Sequence, residues 1–216
     1  RGLGDVYKRQ DVYFKLVTTI AGVTSSLTTS YFNDVYDNQK WNFAVRISSQ
    51  KYDMASTTGG STIGDYTLEF IGNNSILDSL ENSFNISLTI PEAYAKAALN
   101  CNKRFYVGAH YTNFDSSYIL SRTDIKASSL RVWLDYLNDE ELLHHSYDST
   151  NIGRQFPNWK PAYETVSGEA FTKLDTLALD WDFFNVTTTD NNGEFTVQDT
   201  SSGSLEEALN SIYPPV

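Results

Sequence analysis

Apolar and polar side chains take turns along several stretches of this chain. Trp41, Phe43, Val45 and Ile47 are separated by Asn42, Ala44 and Arg46, with Ser48 next. Tyr66, Leu68 and Phe70 alternate with Thr67, Glu69 and Ile71, and Phe84, Ile86, Leu88 and Ile90 with Asn85, Ser87 and Thr89. Phe105, Val107 and Ala109 make a further set, followed by Leu130, Val132 and Leu134. Successive side chains of a strand point to opposite faces. A period of two with one apolar side therefore predicts antiparallel strands that each bury one face. Two such sheets packed together enclose a core about 10 Å thick. The predicted fold class is all-β, an antiparallel β-sandwich with one or two short helices.

Between the strands the pattern changes. Residues 91–99 predict a short helix with Pro91 in its first turn. Asn138 followed three residues on by Glu141 is a capping-box signature, and it predicts a second helix running to His145. Ser56 to Ser61 and Gly72-Asn73-Asn74 read as turns. Residues 151–176, with Gly153, Pro157, Pro161 and Gly168, read as a linker. Residues 177–183 and 193–197 predict two more strands, joined by a hairpin turn at Asp190-Asn191-Asn192-Gly193. The expected organisation is a sandwich over 11–150, a linker over 151–176, and the start of a further β module over 177–216.

The first ten residues stand apart. Asp5-Val6-Tyr7-Lys8-Arg9-Gln10 resembles one translated frame of a sequencing-library adapter, so residues 1–10 are set aside as an artefact. The sandwich is accordingly expected to be N-terminally truncated, in a fragment of a longer reading frame.

Composition narrows the partners. The chain has 216 residues and a net charge of −11, which disfavours nucleic acid and anionic membrane surfaces, since both need basic patches. Aromatic residues are plentiful, with 14 Tyr, 12 Phe and 4 Trp, as suits strands with half-buried faces. A single cysteine, Cys101, excludes an intramolecular disulfide and points to folding in a reducing cytoplasm. No run of about 18 apolar residues predicts a membrane span.

The segment 103–148 carries the most specific pattern. It reads KRFYVGAHYTNF, then DIKASSLRVWLDYL, then NDEELLHHSYD. An aromatic-Val-Gly strand, a variable loop, an Arg-Val-Trp strand and a short helix ending in His follow one another. This order resembles the closing part of a laminin-G-like (concanavalin A-like) β-sandwich. The likeness spans roughly residues 11–148 and implies a jelly-roll topology. Together with Asn151-Ile152-Gly153, the pattern resembles sandwich modules in large structural proteins of bacteriophages, and with the adapter-like segment it implies a metagenomic source. The resemblance implies a non-enzymatic module of a tail, fibre or capsid-associated protein, localised to the virion.

Some sandwiches of this class are glycoside hydrolases, and one type needs Glu-x-Asp-x-Glu along a strand to set three carboxylates on one face. No such triplet occurs; Asp180 and Asp182 share a face without a third acid. The stretch from Thr188 to Phe195 resembles a sialidase Asp-box with one residue too many before Gly193, and reads better as the hairpin. His144 and His145 are adjacent, about 100° apart around a helix, which does not suit zinc; a solvated helix end is expected. No nucleophile–base arrangement can be drawn from three scattered His, and an enzyme is not expected.

Ligand candidates remain. The polar faces of the strands offer Arg46, Glu69, Asn85, Tyr106, Arg131, Trp133 and Asp135. Arginine, carboxylate and an aromatic plane together suit sugar recognition, although a solvated sheet face is the simpler account. The aromatic loop 111–118, with Tyr111, Asn113, Phe114, Asp115 and Tyr118, is a second candidate, because sandwich-rim loops carry function. No cofactor is required. The resemblance allows calcium at the rim, with Asp115 and Asp124 as candidate ligands. The expected role is adhesion or carbohydrate binding, with a purely structural spacer as the alternative and a glycoside hydrolase a distant third, and the expected partners are host-surface glycan or other virion subunits.

Overall fold

A computed structural model describes residues 11–18, 26–35, 39–49, 64–77, 79–101, 103, 105, 107–111, 119–122, 125–149, 176–183, 186–189 and 195–201. It is mostly β, with small antiparallel sheets and two short helices. The chain forms two compact units, one of Arg1–Cys101 with Tyr136–Asp148, the other of Asn102–Asp135 with Ser149–Val216.

The first unit is built on β3 (Trp41–Ser49), β4 (Tyr66–Ile76) and β5 (Ser79–Ile90), a three-stranded antiparallel sheet in that order. Its register aligns the alternating positions that the sequence shows: Phe43 lies beside Gly72 and Phe84, Val45 beside Phe70 and Ile86, Ile47 beside Leu68 and Leu88. These rows share one face. The ribbon of β1 (Lys15–Val17) and β2 (Ser26–Thr28) and the helix α1 (Glu92–Asn100) supply the rest of that core. Leu27, Leu68, Phe70, Ile90 and Ala95 are buried there, with Phe14, Leu16, Phe84 and Ile86 packed around them. Phe84 sits amid Phe14, Phe32, Trp41, Phe43 and Phe70, with ring centroids 5.0–6.4 Å away. Such offset and edge-to-face pairs are each worth about 0.5–1.5 kcal/mol beyond the area they bury.

Gly72 does not turn the chain. β4 runs through the predicted turn at 72–74 to Ile76, and the reversal comes at Leu77, whose φ is 54°. The reason is steric: a Cβ on Gly72 would overlap the Phe84 ring on the neighbouring strand. Glycine is needed here for close approach, while Asn73, Asn74 and Ser75 are buried within the sheet. Asn74 is held in place by donating to the Lys40 carbonyl at 2.9 Å.

The opposite face of β3 and β4 receives α2 (Asp139–Tyr147). The predicted capping box forms. The Asn138 side chain accepts from the Glu141 amide at 2.8 Å, and the Glu141 carboxylate accepts from the Asn138 amide at 2.7 Å. Ser75 donates its hydroxyl to the Ser146 carbonyl at 2.8 Å, tying the last turn of the helix to the sheet. The solvated end expected at His144-His145 is corrected by this docking: His145 is 6% exposed, because it lies on the face turned to the sheet side of the unit together with Leu142 and Ser146.

The second unit consists of two-stranded ribbons. β6 (Ala109–Tyr111) pairs with β7 (Ile119–Arg122), β8 (Leu130–Trp133) with β9 (Leu177–Trp181), and β10 (Val186–Thr189) with β11 (Phe195–Val197). Two expectations are corrected here. The strand read from Phe105 begins only at Ala109, after Gly108 at φ 73°. The strand read over 177–183 ends at Trp181, with Phe183 at φ 57° after it, and the strand paired with Phe195–Val197 is β10; the predicted turn at 190–193 lies outside the described residues. β9 pairs with β8, so strands on either side of residues 151–175 share a sheet.

Candidate functional site

Two partly buried arginines organise the polar positions that the sequence offers for recognition, one in each unit. In the first unit, Arg46 on β3 lies directly across from Glu69 on β4. Its Nε donates to Glu69 Oε2 at 2.6 Å and one terminal nitrogen to Oε1 at 3.1 Å, a two-pronged contact. The same nitrogen reaches Asp139 Oδ1 at 2.5 Å, and the other donates to the Leu137 carbonyl at 2.8 Å. The guanidinium also lies 4.7 Å from the centroid of the Tyr136 ring. Burial works to lower the pKa of Arg46, but hydrogen bonds to Glu69 and Asp139 outweigh it and hold the pKa above its ordinary value. Asn85 on β5 donates to Glu69 at 3.5 Å, a long contact at the edge of the cluster.

The arrangement is a brace. One planar side chain fastens the segment 136–139, and with it the start of α2, to the centre of the sheet. Its donors are taken up by carboxylate and carbonyl oxygens of the protein itself.

In the second unit, Arg131 on β8 lies opposite Asp180 on β9. Arg131 Nε donates to Asp180 Oδ1 at 2.7 Å, and the side chains are 7% and 6% exposed. A terminal nitrogen of Arg131 donates to the Ser149 carbonyl at 2.6 Å. Thr200 donates its hydroxyl to Asp180 Oδ2 at 3.1 Å, and its amide to the Asp180 carbonyl at 3.1 Å. Asp199 accepts from the Asp180 and Ser201 amides, both at 2.9 Å. Segments distant in sequence, around 131, 149, 180 and 200, thus meet at one ion pair.

The candidate residues divide as follows. Arg46, Glu69 and Asn85 come together in the first unit. Arg131, Trp133 and Asp135 lie on or just after β8 in the second: Arg131 is engaged as described, Trp133 is half-buried beyond a register shift, and Asp135 is exposed. Tyr111 ends β6 across from Ile119. Asn113, Phe114, Asp115, Tyr118 and the calcium candidate Asp124 lie outside the described residues, as does Tyr106. Among the described residues, no group of three or more His, Cys, Asp or Glu is placed to hold a metal ion. Sequence reasoning weighed Asp180 only as half of a carboxylate pair; the structure gives it a partner in Arg131. The cross-strand register, which no local pattern encodes, is what joins them. Tyr136 and Asp139 were likewise missed as partners of Arg46, although the capping signal beside them was read.

No protein-family model, no curated protein and no solved structure matches this chain.

Proposed function

We propose that this chain is a non-catalytic module of a large bacteriophage structural protein, from a tail, fibre or capsid-associated component. We take it to be built on a concanavalin A-like sandwich, with the β3–β5 sheet as one wall. The supporting observation is the use made of its buried charges. Glu69 and Asp180, the carboxylates set into the sheets beside candidate recognition residues, are each held by a guanidinium at 2.6–2.7 Å. Charges spent in this way support a framework role better than one in chemistry.

Within that reading, a spacer that meets other virion subunits is favoured over an adhesion module. A sugar-binding face would draw on Arg131 as its directional donor, and Arg131 is committed to Asp180 and Ser149. Adhesion to host-surface glycan is the second reading, favoured by exposed Asp135 close in sequence to half-buried Trp133. A glycan-array screen of the whole chain, with and without calcium, separates the two. The spacer predicts a blank array. Saturable binding that disappears in Trp133→Ala replaces it with the adhesion module, and a calcium requirement would assign a rim site. Cleavage of an arrayed glycan overturns the non-catalytic reading altogether.

A further inference from the structure

Among the described residues, no strand pairs with the outer edge of β3. Its inner edge is paired with β4 over all of Trp41–Ser49. Among the described residues, none hydrogen-bonds to the backbone of 41–48 from the other side. A strand edge of this kind presents a row of donors and acceptors that template pairing, and proteins usually blunt it with Lys, Pro or a bulge. β3 has none of these: it lacks Lys and Pro, and its pairing with β4 is regular. Its single charge, Arg46, is neutralised by Glu69 and Asp139. β5 is also an edge, but its apolar residues Phe84, Ile86 and Leu88 pack against the core. On β3, Phe43 and Val45 belong to the same apolar face and are 47% and 54% exposed.

We propose that β3 pairs antiparallel with β3 of a second copy of this chain, making one continuous sheet across a two-fold axis. Self-complementarity is the argument for this occupant. A strand paired antiparallel with its own copy forms an isologous contact that closes at the dimer. Matching of faces requires odd positions to meet odd ones. Centring the pair on Arg46 would set two arginines opposite each other, and centring it on Phe43 would set Arg46 opposite Lys40. Centring on Ala44 or Val45 avoids both. In the first, Phe43 meets Val45 of the other copy; in the second, Val45 meets its own image and Phe43 meets Ile47. Either register extends the apolar face and covers the two residues left open in the monomer. With a charge of −11 on each chain, the copies repel at long range, so pairing strengthens as salt rises. The inference stands whether or not the chain belongs to a virion.

Sedimentation velocity of the full chain over a concentration series, at low and high salt, is the test. The expected result is a dimer favoured by salt. Phe43→Lys and Val45→Lys each weaken it by on the order of tenfold or more, and Ser87→Lys on β5 leaves it unchanged. A wild-type chain that stays monomeric to about 100 μM in high salt overturns the proposal. So does a dimer that survives both β3 substitutions or is lost in Ser87→Lys. Should the lysine variants fail to fold by circular dichroism, deuterium exchange on the wild type decides. Protection of amides in 42–48 that grows with concentration supports the pairing, and unchanged exchange there refutes it.

Discussion

Replacing Asp180 by Asn removes one charge from an ion pair whose two side chains are 6–7% exposed. The guanidinium of Arg131 would stay where it is, because Ser149 and the β8 backbone fix it, and its charge would lose its counter-charge. Breaking a buried pair on one side costs about 3–5 kcal/mol, whereas replacing both partners with apolar groups of similar volume is close to neutral. Against a whole-domain stability of about 5–15 kcal/mol, the single change is about a fifth of the total or more. Native-state hydrogen exchange reads the effect where it arises. The amides of β8 and β9 should exchange two to three orders of magnitude faster in Asp180→Asn, while those of β4 are unaffected. The double variant Arg131→Met with Asp180→Leu should return β8 and β9 to within about 1–2 kcal/mol of wild type. A single-variant effect under about 1 kcal/mol, or a double variant that costs the sum of the singles, refutes the account of Arg131 and Asp180 as one buried unit.

Other positions give independent tests. Gly72→Ala sets a methyl group into the Phe84 ring and should cost about 1–3 kcal/mol, lowering Tm by several degrees; adding Phe84→Leu should recover part of the loss. Asn138→Ala removes the cap of α2 and should cost about 1 kcal/mol in urea denaturation. Arg46→Lys keeps the charge but loses the two-pronged contact with Glu69, so exchange at the α2 amides should rise while β5 is little changed. The raised pKa of Arg46 fixes the sign of the pH dependence. A cation whose folded pKa lies above its unfolded one stabilises fully below the unfolded value and loses that contribution only as pH rises through the folded one. The arginine's share therefore survives any mildly alkaline titration by circular dichroism.

The strands of the first unit were legible because each buries one face, and burying one face writes itself into the sequence with period two. Trp41 to Ile47 and Phe84 to Ile90 are read directly, and the capping box at Asn138 and Glu141 is a local signal with a local cause. Gly72 was misread for a physical reason. Glycine marks a turn or a close approach with the same letter, and only the partner strand, through Phe84, says which. The buried side of α2 was missed because its sequence, DEELLHHSY, is mostly polar; His145 and Ser146 are buried by a sheet that the helix's own pattern does not announce. Arg131 was legible as unusual but not as satisfied. Its partner Asp180 lies 49 positions away, and register across strands depends on the pairing of the whole ribbon rather than on any neighbourhood of residues.

The first unit is interrupted in the chain: it runs to Cys101, stops, and resumes at Tyr136. A ribosome makes the β3–β5 sheet well before it makes the helix that docks on it. The contact between Arg46 and Asp139 closes a span of 93 positions, a restriction worth about 4 kcal/mol of chain entropy beyond its constant part. Until that span is synthesised, Arg46 has only Glu69 to answer it, and the face meant for α2 stands open to the solvent and to other nascent chains. Truncation at Cys101 would freeze the protein in this state. The residues 102–135 are thus a delay built into the order of synthesis, and slowing translation through them should lengthen the lifetime of the half-covered sheet.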